Sequence, residues 1–159
     1  MIYFVLNNIR SAWNVGAIMR TCDALGYSLV LVGYTPQPIG STLPLVKKTA
    51  IGAEKTVSWT HFSHFQEVLN CHSTAIHIGI EISATSKNIF DYLHRNLVDV
   101  NRDYFLWFGN EISGLEKNLT DQLAHELHLP MNGSKESLNV SNSSCAIGYL
   151  FLEHTPILI

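Results

Sequence analysis

The chain is made of short apolar runs separated by polar, glycine-bearing or proline-bearing segments, and this alternation restricts the fold more than any single residue does. Ile2–Leu6, Ser28–Gly33, Thr74–Ile80 and Tyr104–Gly109 are five to seven residues long and mostly apolar, and His125–Leu129 is a further short strand-like run ending at Pro130. Such runs are too short for buried helices, and they read as strands covered on both faces. Between them, Val15, Ile18, Met19, Cys22 and Leu25 keep helical offsets. Asn14 is the expected N-cap of that helix and Gly26 its stop. Further helices are predicted at Phe62–Leu69, Asn88–Asn96, Leu115–Leu123 and Leu138–Glu153, with a helical turn at Lys47–Ala53 and a short strand at Thr56–Trp59. The segment Tyr34–Pro44 holds Pro36, Pro38, Gly40 and Pro44 and is predicted to be a loop; loops of that length are often functional. Buried strands alternating with helices imply an α/β fold, a mostly parallel sheet flanked by helices. At 159 residues the chain suits one domain, residues 1–159, with a core that needs no staples.

Composition narrows the function. Apolar residues are 47 % and charged residues 14 %, which excludes a disordered or acidic-tail protein. So few charges on a small chain imply that part of the surface is covered by a partner. The net charge is −3, but residues 1–60 carry five cations against two carboxylates, leaving a basic N-terminal third that can meet phosphates. Cys22, Cys71 and Cys145 form no metal or redox spacing, so reduced thiols and a cytoplasmic location are expected. No run reaches membrane-spanning length and Met1–Asn7 lacks a basic flank, so neither a membrane span nor a signal peptide is expected.

Three polar segments each follow a predicted strand: Asn7–Asn14, Gly109–Gly114 and Pro130–Asn142. Ligands of α/β sheets bind outside the carboxyl ends of the strands, so these segments are expected to converge. They are rich in amides and backbone donors, with Arg10, Arg20 and Glu111 as the charged groups. No metal-ligand spacing, phosphate loop, dinucleotide fingerprint or nucleophile elbow is present. Binding a reactive group donor and positioning an acceptor fits such a site better than covalent, metal or flavin chemistry.

The same segments carry a resemblance. Leu6-x-Asn8-Ile9-Arg10-Ser11 followed by Asn14-Val15-Gly16-Ala17-Ile18-x-Arg20-Thr21 resembles the first motif of SpoU-type (SPOUT-class) RNA 2′-O-ribose methyltransferases. Phe108-Gly109-Asn110-Glu111-x-x-Gly114-Leu115 is similar to their second motif, and Leu129-Pro130-Met131-x-Gly133 with Glu136-Ser137-Leu138-Asn139-Val140-Ser141 to their third. Gly33-Tyr34-Thr35-Pro36 and Lys48-Thr49-Ala50-x-Gly52-Ala53-Glu54-Lys55 resemble segments of the small members. The motifs occur in order and span essentially the whole chain. One departure is Asn142-Ser143-Ser144-Cys145, where the family has small apolar residues.

The resemblance implies a C-terminal trefoil knot, S-adenosyl-L-methionine as cofactor, a homodimer with a composite site, and methyl transfer to a ribose 2′-hydroxyl of tRNA or rRNA. It places Arg20, Asn14, Glu111 and Asn139 at the reacting centre. Glu111 is read as a fixing group rather than a base, and Arg20 as a cation that steers phosphate and stabilises developing alkoxide charge. Gly109, Leu129, Met131, Gly133, Ser137 and Leu138 would hold the cofactor. Asn8, Arg10, Lys47 and Lys48 would hold RNA. No metal is expected. The bland readings are that Asn14 is only a cap, Arg20 a solvated helix residue, and Met131, Cys145 and the three tryptophans core. The runner-up function is a non-catalytic RNA-binding or assembly protein that keeps the fold.

Overall fold

The computed structural model describes residues 1–156. Seven strands form one parallel sheet in the order β3-β2-β1-β6-β4-β7-β5. They are β1 (Ile2–Asn7), β2 (Ser28–Val32), β3 (Trp59–Phe62), β4 (Ile76–Ile80), β5 (Lys87–Asn88), β6 (Tyr104–Phe108) and β7 (His125–His128). The helices are α1 (Ala12–Leu25), α2 (Leu43–Ala50), α3 (Phe65–Cys71), α4 (Ile89–Arg95), α5 (Lys117–Thr120) and α6 (Val140–Glu153). The predicted α/β class and parallel sheet are therefore observed. β1 and β6 lie side by side near the middle, and their apolar residues feed two cores. Phe4, Leu6, Leu106 and Phe108 face α1 and α6, whereas Val5, Phe105 and Trp107 face α3 and α5. This two-sided burial is why these runs lack alternation. Among the described residues no helix is long and apolar enough to cross a membrane.

Several boundaries differ from expectation. The N-cap of α1 is Ser11, not Asn14: the Ser11 hydroxyl accepts the Asn14 N–H at 3.3 Å. Asn14 lies in the first turn, which frees its side chain for other partners. Gly26 ends the helix at φ 70, as expected. The loop after β2 is shorter than predicted, because Pro44 sits in the first turn of α2, where proline lacks no needed donor. The third strand begins at Trp59 rather than Thr56, since residues 53–57 close a tight turn through Thr56 N–H and Val57 N–H to Ala53 C=O, at 3.2 and 3.0 Å. α3 accordingly begins at Phe65, not Phe62. α5 keeps only Lys117–Thr120 of the predicted Leu115–Leu123. The Leu115 N–H is taken by the Glu81 carboxylate at 3.0 Å, and after Thr120 the chain continues in i→i+3 turns.

The unusual run Asn142-Ser143-Ser144-Cys145 sits inside a regular α6. Ser143 and Ser144 donate their hydroxyls back to Val140 C=O and Ser141 C=O, at 3.0 and 2.9 Å. Buried Ser144 is thereby satisfied. Cys145 is only half-buried, contrary to expectation, and Trp13 is 56 % exposed rather than packed.

On the α3 side, buried His77 is held as one tautomer. Trp107 Nε1–H donates to His77 Nδ1 at 3.1 Å, so Nε2 carries the proton and donates to His72 C=O at 2.9 Å. Burial lowers the His77 pKa, against the opposing pull of the His72 carbonyl. Between the ordinary value and this lowered one, the unfolded chain binds more protons. Stability is thus full above about pH 6.5 and declines as the medium is acidified below it. Thermal melts of wild type and His77→Gln between pH 5 and 8 check this: the wild type loses more on acidification, and parallel curves contradict it.

Candidate functional site

Three loops meet outside the carboxyl ends of β1, β6 and β7, where the strand order reverses direction. The first leaves β1 at Asn8, whose backbone is left-handed at φ 58. Thr35 pins it: its hydroxyl lies 2.9 Å from Leu6 C=O and accepts the Ile9 N–H at 3.0 Å. The second leaves β6 and doubles back through paired Asn110 and Gly114 backbone bonds of 3.1 and 2.9 Å. Asn110 accepts Ile112 N–H and Ser113 N–H, and donates to Asn8 C=O and the Tyr34 hydroxyl, at 2.8–3.1 Å. A side chain at Gly109 would collide with the Gly114 and Leu115 backbone. Gly114 has φ +68 and lies against the Glu81 carboxylate, so glycine is required there twice over. The third loop ends at Asn139, the N-cap of α6, which accepts Ser141 N–H at 2.9 Å.

One chain of hydrogen bonds ties the three together. Asn139 Nδ2 donates to Asn14 Oδ1 at 3.3 Å, and Asn14 Nδ2 donates to Glu111 Oε1 at 2.9 Å. Glu111 also accepts Ser11 N–H at 3.1 Å and Arg10 N–H at 2.9 Å, so both oxygens are occupied. Burial alone would raise its pKa. The amides of Arg10, Glu111 itself, Asn14 and Ser11 outweigh that and hold it below the usual carboxylate range. Glu111 is an ionised clamp with both oxygens engaged by the first loop and α1.

Beside this clamp a cleft of about 410 Å³ is lined by Phe108, Gly109, Leu129, Met131, Ser137, Leu138 and Val140, with Glu81, Glu111 and His128 as titratable groups. Its size suits a nucleoside-sized ligand. It has apolar walls, two carboxylates and no lysine or arginine in its lining. That set rejects phosphates and accepts a cation, and so fits an adenosyl sulfonium.

The structure brings Asn14, Glu111 and Asn139 together, and gathers Gly109, Leu129, Met131, Ser137 and Leu138 in the cleft. Gly133 is not in that lining; it is exposed, and a Cβ there would meet nothing within 4 Å, so no close approach calls for glycine. Arg20 lies in a separate depression with Lys48, Thr49, Cys145 and Tyr149, outside the cleft of the same chain. Arg10 is exposed beside Asn14 and Glu111, and Lys47 and Lys48 are exposed in the last turn of α2. Asn8 is occupied locally: Nδ2 donates to Glu116 at 3.0 Å, and Oδ1 accepts Tyr34 N–H at 3.3 Å. Sequence reasoning missed Glu81 and His128. Glu81 had a signal, being a carboxylate directly after an apolar strand; His128, whose Nδ1 is 2.8 Å from Ser86 Oγ, had none.

The fold matches a structure from work on 2′-OH methylation of C/U34 on tRNA, with a TM-score of 0.81 at 23 % identity, covering 97 % of this chain and 95 % of that one. It also matches an AdoMet-bound rRNA methyltransferase from Sinorhizobium meliloti at 0.83 and 21 % identity, covering 96 % and 56 %. In sequence, the chain is 29 % identical over 152 residues to a Bacillus subtilis (strain 168) protein provisionally named a tRNA (cytidine(34)-2′-O)-methyltransferase, covering 93 % of this chain and 89 % of that protein. It is 31 % identical over 148 residues to the 23S rRNA (guanosine-2′-O-)-methyltransferase RlmB of Neisseria meningitidis serogroup B, covering 90 % of this chain and 54 % of that one. The chain thus spans nearly all of the first relative and about half of the second. The SpoU rRNA Methylase family profile matches residues 1–149, and with all three of its motif loops joined at one cleft, the chain belongs to that family.

Proposed function

We propose that this chain is an S-adenosyl-L-methionine-dependent RNA 2′-O-ribose methyltransferase, a single catalytic domain that works as a homodimer on tRNA, with rRNA as the second choice. The observation that carries the reading is the Asn139–Asn14–Glu111 hydrogen-bond chain at the mouth of a phosphate-rejecting cleft. Intact Asn14, Arg20, Glu111 and Asn139 favour catalysis over a fold retained only for assembly. The close apposition of residues 129–139 to the loops after β4 and β6 supports a knotted C-terminal third. Three unpaired thiols support a reducing, cytoplasmic setting.

S-adenosylmethionine, when bound, supplies a methyl group made electrophilic by its sulfonium. Leu129, Met131 and Leu138 give the cleft apolar surface against which the adenosyl group would pack. Ser137 precedes the α6 cap and, with Asn139, sets the third loop. Glu111 fixes the first loop, and Asn14 presents its amide between Glu111 and Asn139. The guanidinium of Arg20 stays protonated, with an intrinsic pKa of about 12.5–13.8, so its part is to stabilise charge developing on the ribose oxygen. Arg20 opens onto a surface away from its own cleft, which supports service to the partner subunit's cleft. Arg10, Lys47 and Lys48 supply cations for the RNA backbone.

Isothermal titration with S-adenosylmethionine tests the reading, followed by ribose-methylation mapping on tRNA from cells lacking the protein, before and after incubation with the purified protein and S-adenosylmethionine. One cofactor per chain and a newly protected ribose are expected. Absence of any heat at millimolar cofactor overturns it.

A further inference from the structure

The exposed ring of Trp13 is the feature of this surface that packing does not explain. It is 56 % exposed in the first turn of α1, directly after Ala12 and directly before Asn14 of the clamp. Its backbone is fixed rather than frayed: the Trp13 C=O accepts the Thr49 hydroxyl at 2.8 Å, which ties it to α2. Lys48 of α2 holds its ammonium 6.0 Å from the ring centroid. At helical spacing Trp13, Ala17, Arg20 and Ala24 share one face, and Arg10 precedes it at the helix entrance. Ala17, Arg20, Ala24 and Lys48 line the second depression, whereas Arg10 and Asn14 line a third beside Glu111. Trp13 is thus one residue from Asn14 of the clamp, and Arg20 lies about 10 Å farther along the helix axis.

We infer that Trp13 is a stacking platform for a nucleobase of the RNA substrate, at or next to the nucleotide whose ribose is presented to the cleft. The inference rests on the proposed methyl-transfer reading and assigns it a substrate contact. An indole face is sequence-tolerant and base-sized, and a flanking lysine and two arginines provide for the phosphates on either side. The charge argues for RNA over a protein partner: Arg10, Arg20 and Lys48 are exposed around this stretch of α1 and no carboxylate lines the Arg20 depression, whose apolar members are the two alanines, Ile51, Cys145 and Tyr149. A ring held outside the core, with Lys48 as its cation–π partner, costs little in folding to remove, so its substitution reads binding more than stability.

The test uses the full-length protein with total tRNA from cells that lack it. Trp107 is buried and Trp59 half-buried, so tRNA should quench mainly the exposed Trp13 emission, and Trp13→Phe should abolish most of that quench while keeping most affinity. Trp13→Ala should weaken tRNA binding about tenfold or more, with unchanged salt slope and unchanged S-adenosylmethionine affinity. Lys48→Ala should instead reduce the salt slope by about one. Wild-type protein that binds cofactor and tRNA while Trp13→Ala matches it overturns the stack alone. A Trp13→Ala protein that loses self-association together with tRNA binding also overturns it, since the ring would then be a subunit contact. Wild-type protein that binds no tRNA overturns the functional reading and the stack with it.

Discussion

Glu111→Gln is expected to lower methyl transfer by about 100-fold while leaving the fold intact. The carboxylate receives three donors on two oxygens: Arg10 N–H on Oε2, and Ser11 N–H and Asn14 Nδ2–H on Oε1. Glutamine offers one acceptor oxygen and one amide. Whichever way it is turned, its NH₂ faces at least one backbone or side-chain donor. If the oxygen keeps Ser11 and Asn14, Arg10 is left facing an N–H. If it keeps Arg10, Asn14 is released, and the Asn139 link with it. Each lost bond at this solvent-accessible position costs about 1 kcal/mol in stability, a loss the core absorbs. The kinetic cost is larger, because a displacement of about 1 Å in a positioning group costs about two orders of magnitude. Steady-state kinetics and a thermal melt together check this: kcat/KM falls about 100-fold and the melting temperature shifts by a few degrees. Glu111→Asp keeps the charge but is one methylene too short to reach all three donors, so it should recover activity only partly. A glutamine variant with full activity would remove Glu111 from the positioning machinery. The lowered pKa adds a sign. The clamp is intact above the ordinary carboxylate range and opens only as pH falls through its lower folded value, so Glu111 does not shape the rate between pH 6 and 8.

What could be read from the sequence was whatever is local in the chain. The apolar runs that became β1, β2, β4 and β6 are buried on two faces, so they announce themselves without alternation, whereas β7 buries only Leu127 and is marked by the proline that follows it. The three polar segments after strands could be placed at one end of the sheet for the same reason. Errors arose where a distant partner decided the outcome. Asn14 has the chemistry of an N-cap, but Ser11 caps α1 because Asn14 is needed by Glu111, 97 positions away. Leu115 has the pattern of a helix start, but Glu81, 34 positions away, takes its N–H. Gly133 reads like Gly109 as a glycine of the cofactor cleft, yet of the two only Gly109 faces backbone where a side chain would collide. His128 was lost among eight histidines because nothing in its neighbourhood distinguishes a strand end at the cleft from one on the surface. Of the three tryptophans, Trp13 is the one whose place beside the first motif sets it apart from packing, and its ring is 56 % exposed beside Lys48 of α2, whereas Trp107 is buried in the core.

Arg20→Ala carries the largest expected loss, and it also decides where Arg20 acts. Arg20 does not line the cleft of its own chain, so cofactor affinity should stay within about twofold of wild type while methyl transfer falls by about 10²–10³-fold. A guanidinium that merely coats a helix would leave both unchanged. The position then makes a second demand. If the charge is delivered to the partner's cleft, two inactive variants must rescue each other in a mixed dimer. In a pair of Arg20→Ala and Glu111→Ala chains, the first contributes a sound cleft and the second a sound arginine, and one of the two sites is whole. Random reassortment puts half of the dimers in the mixed form, so about a quarter of wild-type activity returns. If Arg20 serves its own chain, each site in the mixed dimer still carries one lesion and nothing returns. Co-expression with two different tags, purification through both, and single-turnover methyl transfer on tRNA separate the outcomes, the doubly purified mixed dimer reaching about half of wild-type activity when the site is shared.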